Sequence, residues 1–195
     1  MYDALTTANA AWRVHVLATI DACIEQDRSP SAGKIAEALA HVAAWHGCPH
    51  AADLSCASSP SAYRRIPLGS SEAHGYEALL ILWPPAYATP IHDHDELWGM
   101  EFVLDGVLEV ESFQLLAQQA SMHLSPTHTL LAGVGDYVAF SNADYAHRCR
   151  NVSRNRQALS LHVYGGALNQ YRSFHQQDGQ WSSKCHTTAR EPSLA

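Results

Sequence analysis

Thr89-Pro90-Ile91-His92-Asp93-His94-Asp95-Glu96-Leu97-Trp98-Gly99 is the stretch on which the reading of this chain turns. Alternate residues of an extended strand share a face, so His92 and His94 would project together, about 6–7 Å apart along the chain. Two imidazoles so placed can share one metal ion. The competing reading is a pair of solvent-facing histidines beside aspartates. Strand periodicity continues on both sides. Downstream, Trp98 to Leu104 leads to Asp105-Gly106, a hairpin signal. Val107 to Phe113 then alternates, with Leu108 and Val110 on one face and Glu109 and Glu111 on the other. Upstream, Glu77 to Trp83 is a short apolar run ended by Pro84-Pro85. Tyr137 to Phe140 and Gln157 to Tyr164 are further strand candidates. Short strands with this punctuation predict an all-β barrel or sandwich.

The first 60 residues read differently. Trp12, Val16, Ile20 and Ile24 recur at helical spacing, with Leu5, Ala8 and Leu17 near the same stripe and Thr6 or Thr7 as a cap. Ser29-Pro30-Ser31 breaks the pattern. A second stripe, Ile35, Leu39, Val42 and Trp45, is stopped by Gly47. Both stripes are read as core-facing, with no function of their own. The expected organisation is one domain: a helical segment over 1–60 packing on a barrel over 61–175, then a polar tail or late strand over 176–195.

The 195 residues carry 12 basic and 19 acidic side chains, a net charge of −7. Nucleic acid is therefore not expected as a partner, because phosphates need a basic face. No apolar run reaches the roughly 18 residues of a membrane span. Met1-Tyr2-Asp3 does not open a secretory signal. These features predict a soluble cytoplasmic protein without a membrane partner, and a monomer. Five cysteines, with no CxxC pair, argue against a disulfide framework or a cysteine zinc site. Thirteen histidines are the count that asks for a reason.

Gly135 opens the strand over 136–140, a turn-like Ser141-Asn142-Ala143-Asp144 follows, and then His147. An HxH followed by a glycine, with a later glycine-led strand ending in one histidine, resembles the cupin superfamily. Its members are small double-stranded β barrels with the metal in the mouth. The usual cupin glutamate would fall at 98 or 99, where this chain has Trp98 and Gly99. Glu96 and Glu101 are out of register, and by parity Glu101 would face outward. The expected metal ligands are therefore His92, His94 and His147, three neutral imidazoles with no carboxylate among them. Such a site differs from the two-histidine, one-carboxylate triad and would also suit zinc chemistry.

Ser160, His162 and Tyr164 alternate along one strand and so share a face, with Leu161 and Val163 on the other. Inside a barrel they would form a hydrogen-bonded row; on an edge strand they would be a polar solvent face. A serine–histidine nucleophile is disfavoured, because no acid or elbow accompanies it.

Together with the HxH that lacks its glutamate, the segment Ser160-Leu161-His162-Val163-Tyr164 resembles the thiol dioxygenase family, over residues from about 63 to 164. That family includes cysteine dioxygenase and 3-mercaptopropionate dioxygenase. The resemblance implies an Fe(II) cupin that adds both atoms of O2 to a thiol sulfur, giving a sulfinic acid. It further implies His92, His94 and His147 as iron ligands and Ser160, His162 and Tyr164 as the triad behind them. In the animal enzymes the position of Gly99 is a cysteine crosslinked to the tyrosine matching Tyr164. Glycine there implies the uncrosslinked, bacterial pattern. Tyr63 and Arg65 match the family's carboxylate-binding Tyr-x-Arg, and a guanidinium fork suits that anion. Arg172 and the Gly165-Gly166-Ala167 run look more like the mercaptopropionate group. The expected partners are a small thiol carboxylate and O2. The expected reaction is L-cysteine to cysteine sulfinic acid, a step of sulfur amino-acid catabolism. 3-Mercaptopropionate or another mercapto acid, and a non-catalytic metal-binding or ligand-sensing cupin, are the alternatives. Asp93, Asp95 and Glu96 are read as solvated rim charge, and Trp98 as packing.

Overall fold

The computed structural model describes residues 7–27, 31–54, 63–118, 121–140 and 144–189. Among the described residues two α-helices, α1 (Thr7–Gln26) and α2 (Ala32–Ala38), precede eleven strands. These are β1 (Arg64–Ser71), β2 (Tyr76–Trp83), β3 (Ile91–His92), β4 (Gly99–Asp105), β5 (Leu108–Gln118) and β6 (Ser121–Ala132). β7 (Tyr137–Phe140), β8 (Tyr145–Asn151), β9 (Ala158–Tyr164), β10 (Gln170–Gln177) and β11 (Gln180–Thr187) complete them. One sheet runs β1-β2-β9-β4-β7 and the other β11-β10-β3-β8-β5-β6. Every strand pair is antiparallel. The protein is thus mainly β, two facing sheets with helices on one side, the expected class.

The central strands explain their own composition. In β2, Ala78, Leu80 and Leu82 join the core shared with α1 and α2, whereas Leu79, Ile81 and Trp83 belong to the clusters between the sheets. Both faces are buried, so the strand reads as a continuous apolar run. In β9 the odd-numbered Leu159, Leu161 and Val163 meet the helices. Ser160, His162 and Tyr164 are thereby committed to the interior. Trp12, Val16 and Ile20 of α1 are buried against this sheet, each worth about 1.5–3 kcal/mol relative to exposure. The Trp12 indole N–H also donates to the Val42 carbonyl (3.0 Å).

Several expectations change. The second helix does not run to Gly47: α2 ends at Ala38, capped at its start by Ser31, and a 3-10 turn over Val42–Ala44 carries the rest of the stripe. Asp105-Gly106 is not a hairpin turn, because β4 and β5 lie in different sheets. The turn is a corner of the barrel. Gly106 takes a φ of 84°, and a Cβ there would stand 2.8 Å from that of Ala158. The Asp105 carboxylate accepts from the Ala51 N–H (3.0 Å) and ties the corner to the helical segment. Residues 180–187 are the late strand rather than a tail, paired with β10 from Gln177↔Gln180 to Gln170↔Thr187. Thr6, Ser29, Pro30, Cys56 and residues 141–143 lie outside the described residues. On the exterior, Glu109 pairs with Arg150 and Glu111 with Arg148 across β5 and β8, as the alternation predicts. Among the described residues no helix is long and apolar enough to cross a membrane.

Candidate metal centre

His92 ends β3, His94 follows in the turn and His147 comes from β8 beside His92. Their ring centroids stand 5.2, 4.7 and 4.7 Å apart. One ring nitrogen from each lies within 4.8 Å of the others, a spacing that a single ion with bonds of about 2.0–2.2 Å can draw together. The carbonyl of Pro90 can only accept, so His92 Nδ1 donates to it (3.0 Å) and leaves Nε2 for a metal. His94 is stacked on Phe140 (4.4 Å), which in turn stacks on Tyr145. Burial pushes the pKa of His92 down to about 4 and those of His94 and His147 well below the usual value. Neutral imidazole is the form that ligates, so this donor set fits a divalent metal.

Glu101 overturns the parity argument. It faces inward and is 3% exposed. Its oxygens lie 3.6 Å from His147 Nδ1 and 3.6 Å from His162 Nδ1. Parity fails because β3 ends at His92. Asp95 and Glu96 then turn the chain at φ of 54° and 64° before β4 begins. Glu101, His147 and Cys149 form a second cluster with metal-compatible spacing. It is the poorer cage, because burial and the Glu101 carboxylate drive the Cys149 pKa well up, and the ligand form is the thiolate. The Cys149 thiol instead points at Glu101 (3.5 Å to Oε1).

The three groups on β9 are joined as their shared face predicts. Ser160 Oγ is 2.8 Å from His162 Nε2, and His162 Nδ1 is 3.1 Å from the Tyr164 hydroxyl. Trp83 extends the row, its indole N–H donating to Ser160 Oγ (2.8 Å); nothing in the sequence marked that tryptophan. The Tyr164 ring lies 5.4 Å from that of His94. Gly99 sits against it: a Cβ there would stand 3.0 Å from Tyr164 Cδ1 and 2.5 Å from Phe140 Cζ. Burial raises the Tyr164 and Tyr63 phenols, and the Arg65 charge opposes this at both. Burial lowers His162 to about 3, helped by the same guanidinium.

A cavity of about 330 Å³ opens beside His92, with Tyr63, Arg65, Tyr87, Tyr171 and Thr188 among its walls. Arg65 Nε and Nη2 are buried and, among the described residues, have no hydrogen-bond partner. Thr188 Oγ1 is in the same condition. Arg64 points the other way, donating to the Leu54 carbonyl. Tyr63 stacks on Tyr87, ring centroids 4.7 Å apart. Arg172 is committed elsewhere: its backbone N–H and Nε donate to Asp93 (2.7 and 2.6 Å). Asp93 is 2% exposed and so is not rim charge. Its position between His92 and His94 makes that pair a brace for the two histidines. Asp95 and Glu96 are exposed as expected, and Trp98 packs on the helical core.

Residues 60–177 match the family model described as cysteine dioxygenase type I. The chain belongs to the cysteine dioxygenase type I family. A relative is cysteine dioxygenase type 1 of Danio rerio, 27% identical over 109 residues, which are 55% of this chain and 54% of that protein. The chain spans about half the length of that curated relative. Among solved structures, it resembles hydroquinone 1,2-dioxygenase PnpCD at 19% identity and a TM-score of 0.42, covering 57% of this chain and 71% of that one. It also resembles the Schizosaccharomyces pombe Cnp3 cupin domain at 11% identity and a TM-score of 0.41, covering 51% and 58%. Family membership and the buried histidine cluster agree on a metal-dependent protein.

Proposed function

We propose that this member of the family is an Fe(II)-dependent thiol dioxygenase acting on a small thiol carboxylic acid, with L-cysteine the preferred substrate. The reaction balances as R–S⁻ + O2 → R–SO2⁻, with both oxygen atoms ending on sulfur and no external reductant. The observation that carries the substrate class is Arg65, a half-buried side chain whose Nε and Nη2 are buried and, among the described residues, unsatisfied in a cavity that His92 also lines. Buried donors without acceptors are costly, and a planar carboxylate answers them with paired charge-assisted hydrogen bonds. Arg172, tied to Asp93, is poorly placed to compete for that anion.

Iron(II), when bound by His92, His94 and His147, supplies the place where thiolate and O2 meet and exchange electrons. The chain's own residues do the rest. Arg65 holds the carboxylate and so directs the sulfur toward the histidines. Tyr63 and Tyr87 form an aromatic wall that keeps water from the anion. Tyr164, held by His162, offers its hydroxyl beside the cluster, and Ser160 and Trp83 hold His162 in turn. The same chemistry makes a cytoplasmic enzyme without nucleic-acid or membrane partners our reading of its setting.

The test is O2 consumption by the iron(II)-loaded protein with L-cysteine, 3-mercaptopropionate, mercaptosuccinate and cysteamine, with sulfinate identified by mass. L-cysteine should be fastest and cysteamine, which lacks the carboxylate, slowest. No O2 uptake with any thiol would leave a binding cupin and end the proposal. A clear preference for 3-mercaptopropionate would replace the substrate and keep the reaction.

A further inference from the structure

Glu101 has no part in the reading above, yet it is buried at the junction of two histidines that do. It is the register partner of His162 across β4 and β9. Across the interior it meets His147, which the reading above makes a metal ligand. One oxygen faces each ring: Oε1 lies 3.6 Å from His147 Nδ1 and Oε2 lies 3.6 Å from His162 Nδ1. Both gaps exceed hydrogen-bond length, so the influence is that of a carboxylate on nearby N–H dipoles. We propose that Glu101 is a positioning residue that fixes the Nδ1–H tautomer of both His147 and His162.

Counting donors and acceptors along β9 shows what that tautomer decides: either form leaves one hydroxyl hydrogen over, at Tyr164 or at Ser160. The Trp83 indole can only donate, so Ser160 Oγ accepts from it. With His162 protonated at Nδ1, the Ser160 hydroxyl donates to the bare Nε2 (2.8 Å). The Nδ1–H then donates to the Tyr164 oxygen (3.1 Å). Every polar hydrogen in the row but one then has an acceptor within it, and the one left over, on the Tyr164 hydroxyl, points away from His162. With His162 protonated at Nε2, Ser160 Oγ would accept twice. Its own hydrogen would then have no recorded side-chain acceptor among the described residues. The Tyr164 hydrogen would be spent on Nδ1. The direction of the whole row is therefore set at one nitrogen, and Glu101 stands beside that nitrogen.

On His147 the same carboxylate acts together with Cys149, whose Sγ stands 3.6 Å from Nδ1 and whose thiol is directed at Glu101. An Nδ1–H facing Glu101 leaves Nε2 bare, the form in which a histidine ligates, and a carboxylate behind a metal-bound imidazole is a recurrent arrangement. Glu101 thus orders a ligand and the relay together, one from each sheet. The catalytic consequence, a Tyr164 hydrogen free for bound substrate or oxygen, rests on the dioxygenase reading; the tautomers do not.

The experiment is long-range 1H–15N correlation NMR of the full chain, 15N-labelled and loaded with diamagnetic Zn(II). His162 in the wild type should show a protonated Nδ1 and a bare Nε2. His147 should show a protonated Nδ1 and a metal-shifted Nε2. Glu101→Leu should raise the ratio of Nε2–H to Nδ1–H at His162 by about fivefold, the effect of losing a charge that stands near the nitrogen without a hydrogen bond to it. Glu101→Gln, equal in size and uncharged, should move the ratio the same way by less and serves if the leucine variant does not fold. A wild-type His162 protonated at Nε2, or a His162 tautomer ratio unmoved in both variants, would overturn the inference. An iron-loaded wild type that oxidises no thiol would end the dioxygenase reading and leave these tautomers standing.

Discussion

Arg65→Gln is the substitution that reads the substrate pocket directly. Glutamine preserves a polar side chain but removes the fixed charge and the paired donors. Arg65 Nε and Nη2 are buried and, among the described residues, unpartnered, so a carboxylate bound there gains contacts that the pocket does not already satisfy. A charge-assisted, bidentate contact of this kind is worth about 1.5–3 kcal/mol. At 1.36 kcal/mol per factor of ten, kcat/KM for L-cysteine should fall by about one to two orders of magnitude. The carboxylate is remote from the sulfur and held equally before and during reaction, so most of the loss should appear in KM. The assay is initial-rate O2 uptake by iron-loaded protein over a range of L-cysteine, with cysteamine as the thiol that has no carboxylate. Arg172→Gln is the contrasting variant. It should leave KM nearly unchanged and lower metal occupancy instead, because Arg172 braces Asp93 between His92 and His94. Equal losses on cysteine and cysteamine in Arg65→Gln would refute the carboxylate role. So would a KM defect in Arg172→Gln larger than that in Arg65→Gln.

Tyr164→Phe should lower turnover by about 10–100-fold, the usual effect of losing a group behind the ligands; metal analysis should find the iron content unchanged, and parallel losses would make the phenol a ligand or folding element. Gly99→Ala should destabilise the fold by about 1–3 kcal/mol through overpacking, because its Cβ would meet Phe140 Cζ at 2.5 Å; urea midpoints should show it, and Phe140→Leu should recover most of it. The metal-free protein should melt at lower temperature at pH 5 than at pH 7. His92 titrates near 4 and His162 near 3 when folded, against 6.5 otherwise, with His94 and His147 also depressed. The unfolded chain therefore binds more protons through the window from about 6.5 down to about 4, and stability falls with pH there. Glu101, raised to about 7, acts in the opposite sense but is one group against four. A melting temperature independent of pH between 7 and 5 would refute the burial of these imidazoles.

What the sequence disclosed, and what it hid, follows from where each residue sits. β2, β4, β5 and β9 were legible because their faces are committed, by apolar residues or by alternation. β6 was not. It is an edge strand, with Pro126 at the register shift opposite Ser112 and Phe113, and edges tolerate the proline and polar residues that read as loop. β1 is also an edge, carries Pro67 at its own register shift, and hid in the same way. Asp105-Gly106 announced a turn correctly, but a dipeptide cannot say whether the next strand pairs with the last one or crosses to the other sheet. The same limit governs the site. Ser160, His162 and Tyr164 lie within one regular strand, so counting by two places them together. Glu101 is separated from His94 by a turn with two left-handed residues, and parity does not survive such a turn. Its role arises from β8 and β9 meeting it from opposite sheets, a relation that exists only once the barrel has closed.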